Sequence, residues 1–295
     1  MKGVMMRKTS IPLSAIILIV SVSGLNAEPW KKSLDTDFTL TQNAYSDSWT
    51  GGEAGNISWV WNANGVFEKQ MSPKFNFKNT SKLSFGQTHI QDKDTKDWAS
   101  PQKSTDLIDI ENVGKFTMGW VVDPYVALRI ESQFVDASDT IANKNLYLNP
   151  MRFTESAGAS RQFYKTEKNE LLSRLGLAIR QNMVKWVEGQ DGDTDSEITN
   201  DGGLESVTDL KLTMSETLNF TSKLTLYKAF FFSKSDDDPE DNWKAVDVNW
   251  ENRVSASVAK YVTVSLYTQL LYDKEIDVRG RFKQTLAMGI TYKLY

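Results

Sequence analysis

The stretch Arg281-Phe282-Lys283-Gln284-Thr285-Leu286-Ala287-Met288-Gly289-Ile290-Thr291-Tyr292-Lys293-Leu294 decides the fold, because it separates by twos. One set (Phe282, Gln284, Leu286, Met288, Ile290, Tyr292 and Leu294) is apolar at six of seven positions, while the residues between are charged, polar or small. Successive side chains on a β-strand point to opposite faces, so this segment requires one apolar surface and one that tolerates water. Upstream, Val246, Val248, Trp250, Val254, Ala256 and Val258 alternate with Asp247, Asn249, Glu251, Arg253, Ser255 and Ser257. Val262, Val264, Leu266, Leu270 and Tyr272 alternate with Thr263, Ser265 and Gln269 in the same way.

The same period predicts strands near 34–45, 54–68, 74–88, 104–120, 125–136, 152–164, 169–187, 204–217, 222–233, 244–258, 261–273 and 281–295, twelve in all. Connections after odd-numbered strands are longer and hydrophilic: 46–53, 89–103, 137–151, 188–203, 234–243 and 274–280. Those after even-numbered strands are mostly tight, as at Asp123-Pro124, Thr166 to Lys168, Asn219 to Thr221 and Ala259-Lys260. Alternating long and short loops with an even strand number are the pattern of a transmembrane antiparallel up-and-down β-barrel. Strands of this length exceed the ~5–6 residues usual in soluble sheets and suit ~9–11 membrane residues with extensions beyond them.

The N-terminus reads as a targeting segment. Lys2, Arg7 and Lys8 precede an uncharged run from Ile11 to Val22 and small residues up to Ala27, the layout of a secretory signal peptide over 1–27 cut before Glu28. Residues 28–33 then form a short N-terminal segment and 34–295 the barrel, leaving no room for a passenger domain, a plug or a catalytic head. No downstream window approaches the ~20 apolar residues of a membrane helix.

Composition narrows the function. The chain has no Cys, hence no disulfide, thiolate metal site or lipid-anchoring cysteine, and its single His89 excludes a multi-histidine zinc site. Without the leader, 31 basic residues face 38 acidic ones, a net charge of -7 that disfavours nucleic acid as a partner. The six long loops hold 19 acids and 7 bases, so one rim is strongly acidic and the remainder net positive. Trp120, Tyr125, Tyr164, Trp186, Tyr261, Tyr272 and Tyr292 lie near strand ends, where aromatic girdles are expected.

The inward register collects Arg129, Glu131, Arg174, Arg180, Lys211, Glu251, Arg253, Arg281 and Lys283 as candidate lumen-lining residues. Charges there must be paired or hydrated. They either fill a narrow interior with paired clusters or line a pore that sorts solutes. The reading is an outer-membrane barrel acting as a narrow or gated channel for small solutes. Its alternatives are a filled structural or binding barrel and a membrane-embedded hydrolase. No cofactor and no catalytic residue is assigned. Expected partners are outer-membrane lipid and the barrel-insertion machinery, recognised through the final strand ending at Tyr295, although its outward register falls on Leu294.

Other constellations read as loops. Gly51-Gly52 beside Trp49 and Glu53 has the makings of a turn. Asp191, Asp193 and Asp195 start like a calcium loop, but Ser196 stands where that loop needs Gly and Gly202 where it needs a bidentate Glu; they remain weak metal candidates. His89 lies where a strand enters a polar loop.

The stretch Ser48-Trp49-Thr50-Gly51-Gly52-Glu53-Ala54-Gly55-Asn56-Ile57-Ser58 resembles, with one residue fewer between Trp49 and Gly51, the N-terminal W-x-x-G-G-E signature of the bacterial envelope family called domain of unknown function 3078. Further echoes, in the family's order, are Lys103-Ser104-Thr105-Asp106, Asn149-Pro150-Met151, Val248-Asn249-Trp250-Glu251, Thr268-Gln269-Leu270-Leu271-Tyr272-Asp273 and Gly289-Ile290-Thr291-Tyr292-Lys293. The resemblance implies an outer-membrane-type β protein and supplies no activity.

Overall fold

Leu175, Leu177 and Ile179 are exposed while Arg174, Gly176 and Ala178, interleaved with them, are buried, so apolar side chains here point out and an arginine points in. This inversion runs through the computed structural model, which describes residues 29–46, 54–137, 144–189, 192–238 and 240–293. In chain order the strands are β1 (Lys31–Asn43), β2 (Asn56–Ser72), β3 (Phe75–Ile90), β4 (Gln102–Phe116), β5 (Asp123–Ser132), β6 (Val135–Asp136), β7 (Leu146–Tyr147), β8 (Met151–Lys165), β9 (Glu170–Glu188), β10 (Asp193–Thr213), β11 (Leu218–Phe232), β12 (Val246–Ser257), β13 (Val262–Asp273) and β14 (Asp277–Lys293). All except β6 and β7, a small hairpin within the β5–β8 connection, form one closed antiparallel barrel of twelve strands. Two short 3-10 turns, Ser235–Asp237 and Asn242–Lys244, lie in the β11–β12 loop.

The expected strands are all present, with shifted bounds. β10 begins at Asp193 rather than near 204, and most of the expected loop 188–203 is strand paired with β9. Gly189 and Gly192, at the ends of the two strands, are both at positive φ. The ladder continues outward through Asp193↔Glu188, where β10 runs Asp193-Thr194-Asp195-Ser196-Glu197, polar on both faces, and its alternation vanishes. Asp193 and Asp195 are therefore strand residues rather than loop residues; Asp191, Trp49 to Glu53, Tyr295 and residues 1–27 lie outside the described residues. At the other end Asp123-Pro124 opens β5, and the turn occupies 117–122.

Tyr125 departs from the girdle expected of it. It is 2% exposed and faces inward. It lies in register with Gly158 and Gly176. A Cβ on Gly176 would lie 2.6 Å from the Tyr125 hydroxyl and 2.5 Å from the Ala157 carbonyl oxygen, and one on Gly158 would collide with the Leu175 carbonyl. The two glycines leave a shallow seat in the wall, and the ring fills it. Tyr261 and Tyr292 do face outward, stacked with ring centroids 6.4 Å apart near the short-turn end.

Candidate functional site

The lumen is the polar part of the molecule. The buried charged groups Asp109, Arg174 and Glu205 all lie on inward registers, and charges so placed must find partners. On β4, Asp109 and Glu111 alternate with outward Ile108 and Ile110. Arg129 of the neighbouring β5 donates through Nε to Asp109 at 2.8 Å and its guanidinium reaches Glu131 at 3.0 Å.

Two contacts cross from wall to wall. Lys223 of β11 meets Glu111 of β4 at 3.0 Å, and Lys82 of β3 meets Glu251 of β12 at 3.0 Å. In the closed order each pair of strands stands five places apart around a ring of twelve, close to opposite. Glu111 also accepts from Arg174 of β9 at 2.5 Å, and Arg174, 2% exposed, lies over the Tyr125 ring at 5.4 Å. Glu251 further accepts from the Tyr267 hydroxyl at 3.2 Å. The waist of the barrel is therefore bridged by side chains rather than lined by them.

A second cluster lies toward the long-loop end. Arg180 donates to Asp201 and Asp247, each at 2.8 Å, and lies 3.5 Å from the centre of the Tyr227 ring, whose hydroxyl donates to Asp201. In the adjoining turn, partial burial, together with repulsion from Asp273 and Asp247, pushes the Glu275 carboxyl up to about 7. Toward the short-turn end, a cavity of about 310 Å³ is lined by residues including Lys31, Glu68, Lys115 and Lys165, with Lys165 3.4 Å from Glu68.

Of the residues expected on the inward register, Arg129, Glu131, Arg174, Arg180 and Glu251 are joined in these networks. Arg253 lies over the Tyr267 ring at 5.5 Å, and Lys211 is exposed on the inward row of β10. Arg281 and Lys283 form no ion pair among the described residues. Sequence reasoning missed Lys82, Asp109, Glu111, Asp201, Lys223 and Asp247, and with them both wall-to-wall bridges. Asp109 and Glu111 were detectable, since two carboxylates at period two between isoleucines mark a wet face in an apolar strand. Among the described residues no group of acidic or histidine side chains is arranged to hold a metal ion.

Residues 40–137 match a family described as "Protein of unknown function (DUF3078)". This span begins in β1 and includes the stretch that carried the resemblance. Nothing among curated proteins matches the chain. Among solved structures the chain is similar to the translocator domain of autotransporter NalP from Neisseria meningitidis, with 10% identity, 92% of this chain and 90% of that chain covered, and a TM-score of 0.34. It is similar also to an outer membrane channel from Pseudomonas putida F1, with 10% identity, coverage of 92% and 96%, and a TM-score of 0.38.

Proposed function

We propose that the protein is an outer-membrane barrel whose lumen is a narrow conduit for small solutes, held shut at rest by the ion pairs that cross its waist. The wall-to-wall contacts of Lys223 with Glu111 and of Lys82 with Glu251 carry this reading. A freely conducting pore keeps its charges on the wall, facing water; here they meet in mid-lumen. Membrane residence is supported by the inverted surface, apolar outside and charged within, which a soluble barrel would not keep. In this reading residues 1–27 are a cleaved signal peptide, both termini face the periplasm, and the strand ending at Tyr295 engages the insertion machinery. The acidic long loops face outward from the cell.

The gated reading is preferred to a permanently filled barrel because the bridges are few, each dependent on one long lysine. It is preferred to a hydrolase because His89 lies at the end of β3, away from these networks. Planar-bilayer recording of refolded protein tests it. The closed waist predicts a silent baseline with infrequent brief openings at both 0.1 and 1 M salt. A steady large conductance on insertion would rule it out.

A further inference from the structure

The barrel closes between its first and last strands over a short distance. Among the described residues, β1 pairs with β14 from Asp35↔Lys293 to Phe38↔Ile290, four pairs, whereas β1 and β2 are paired along the whole of β1. Continued zipping would set Thr41 opposite Ala287 and Gln42 opposite Leu286. Instead the ladder ends beside Gly289, and β14 runs on toward the long loops without a partner on that side among the described residues.

The parted stretch lies at bilayer depth. Leu286 and Met288 on β14 and Leu40 on β1, all outward and exposed, flank it and continue the apolar row of Ile290 and Phe282. Lumen-facing Thr41, Lys283 and Thr285 are exposed as well. Unpaired strand edges in hydrocarbon are costly, so the gap must be filled by something with polar and apolar parts.

Its charge indicates what. Lys82, Arg129, Arg174, Arg180 and Lys223 each hold a carboxylate, but among the described residues Arg281 and Lys283, both on the strand that borders the gap, hold none, and the Arg281 Nε is buried without a hydrogen-bond acceptor. Glu251, in the same cross-strand row as Lys283 through Gln269, is taken by Lys82 and Tyr267. We propose that the parted seam between β1 and β14 is a lateral port for a single-chain anionic amphiphile, its acidic head held by Arg281 and Lys283 and its hydrocarbon tail lying out between Leu40 and Leu286 in the bilayer. The port lies in the wall, so it does not depend on whether the waist conducts.

Oleate binding to the full-length protein in phosphatidylcholine vesicles tests this, with oleylamine as the control of opposite charge. The wild type should bind oleate saturably at one site, and R281Q/K283Q should weaken that binding at least tenfold while keeping the heat-resistant gel migration of a folded barrel. Because the chain has no Cys, a disulfide in T41C/A287C would close the seam and nothing else; oxidation should abolish binding and reduction restore it. Unchanged oleate binding by R281Q/K283Q, or equal competition by oleylamine, would overturn the proposal whether or not the disulfide forms. Undiminished binding to the oxidised protein would overturn the port.

Discussion

The doubly substituted barrel Lys82→Ala with Lys223→Ala is expected to conduct where the wild type is silent. Each lysine spans the lumen to a carboxylate on the far wall, and each truncation removes the only part of the bridge that projects across it. The carboxylates do not become orphans, because Glu111 retains Arg174 at 2.5 Å and Glu251 retains the Tyr267 hydroxyl. The barrel should therefore fold, and single-channel steps should appear with a preference for cations, since the waist loses two positive charges. The mirror change is more damaging. Glu111→Gln strands Arg174 and Lys223 together, both shielded from solvent, and should cost about 3–5 kcal/mol, the range found when one partner of a buried ion pair is removed. Urea unfolding from lipid vesicles distinguishes the two outcomes. If the doubly substituted barrel stayed silent, something other than these bridges would close the lumen.

Gly176→Val is expected to destabilise the wall strongly. Its first added carbon would fall 2.6 Å from the Tyr125 hydroxyl and 2.5 Å from the Ala157 carbonyl oxygen, one of them backbone in the neighbouring strand and unable to retreat. The displaced ring would also leave Arg174, which rests over it. Overpacking of this kind costs ~3 kcal/mol, and in a closed ladder the strain cannot relax at a free edge. Loss of the folded, heat-modifiable form on gels is the predicted readout, and Tyr125→Ala in the same protein should restore part of it by emptying the seat. A Gly176→Val barrel with wild-type stability would contradict the seat.

Much of the architecture was legible in the sequence because the barrel strands have one apolar and one polar face. In β14 and β9 the alternation is strong enough to assign each residue its face, and Arg129, Arg174, Arg180 and Glu251 were oriented from it. Where both faces meet water the signal disappears, which is why Asp193 to Gly203 read as a loop although it is strand. Tyr125 was misread for another reason. An aromatic near a strand end suits a girdle, and its inward role depends on Gly158 and Gly176 in strands it joins only after register is set. The bridges were out of reach altogether. Alternation assigns Lys223 and Glu111 to the lumen but not to each other, since opposition across a barrel depends on strand number and stagger together. The β1–β14 seam, incomplete among the described residues, has no local signature in β14, which alternates normally beyond the point where pairing stops.

The bridged waist is most directly tested by measuring reach between its walls. In a chain free of cysteine, Lys82→Cys/Glu251→Cys places thiols on β3 and β12, strands that share no ladder. A bifunctional maleimide no longer than two touching side chains should link them rapidly and in high yield in intact vesicles, while Lys82→Cys paired with Glu205→Cys, which share no contact, should react far more slowly. Failure of the Lys82→Cys/Glu251→Cys pair to link, with each thiol still accessible to a single maleimide, would show an open lumen and contradict the closed waist.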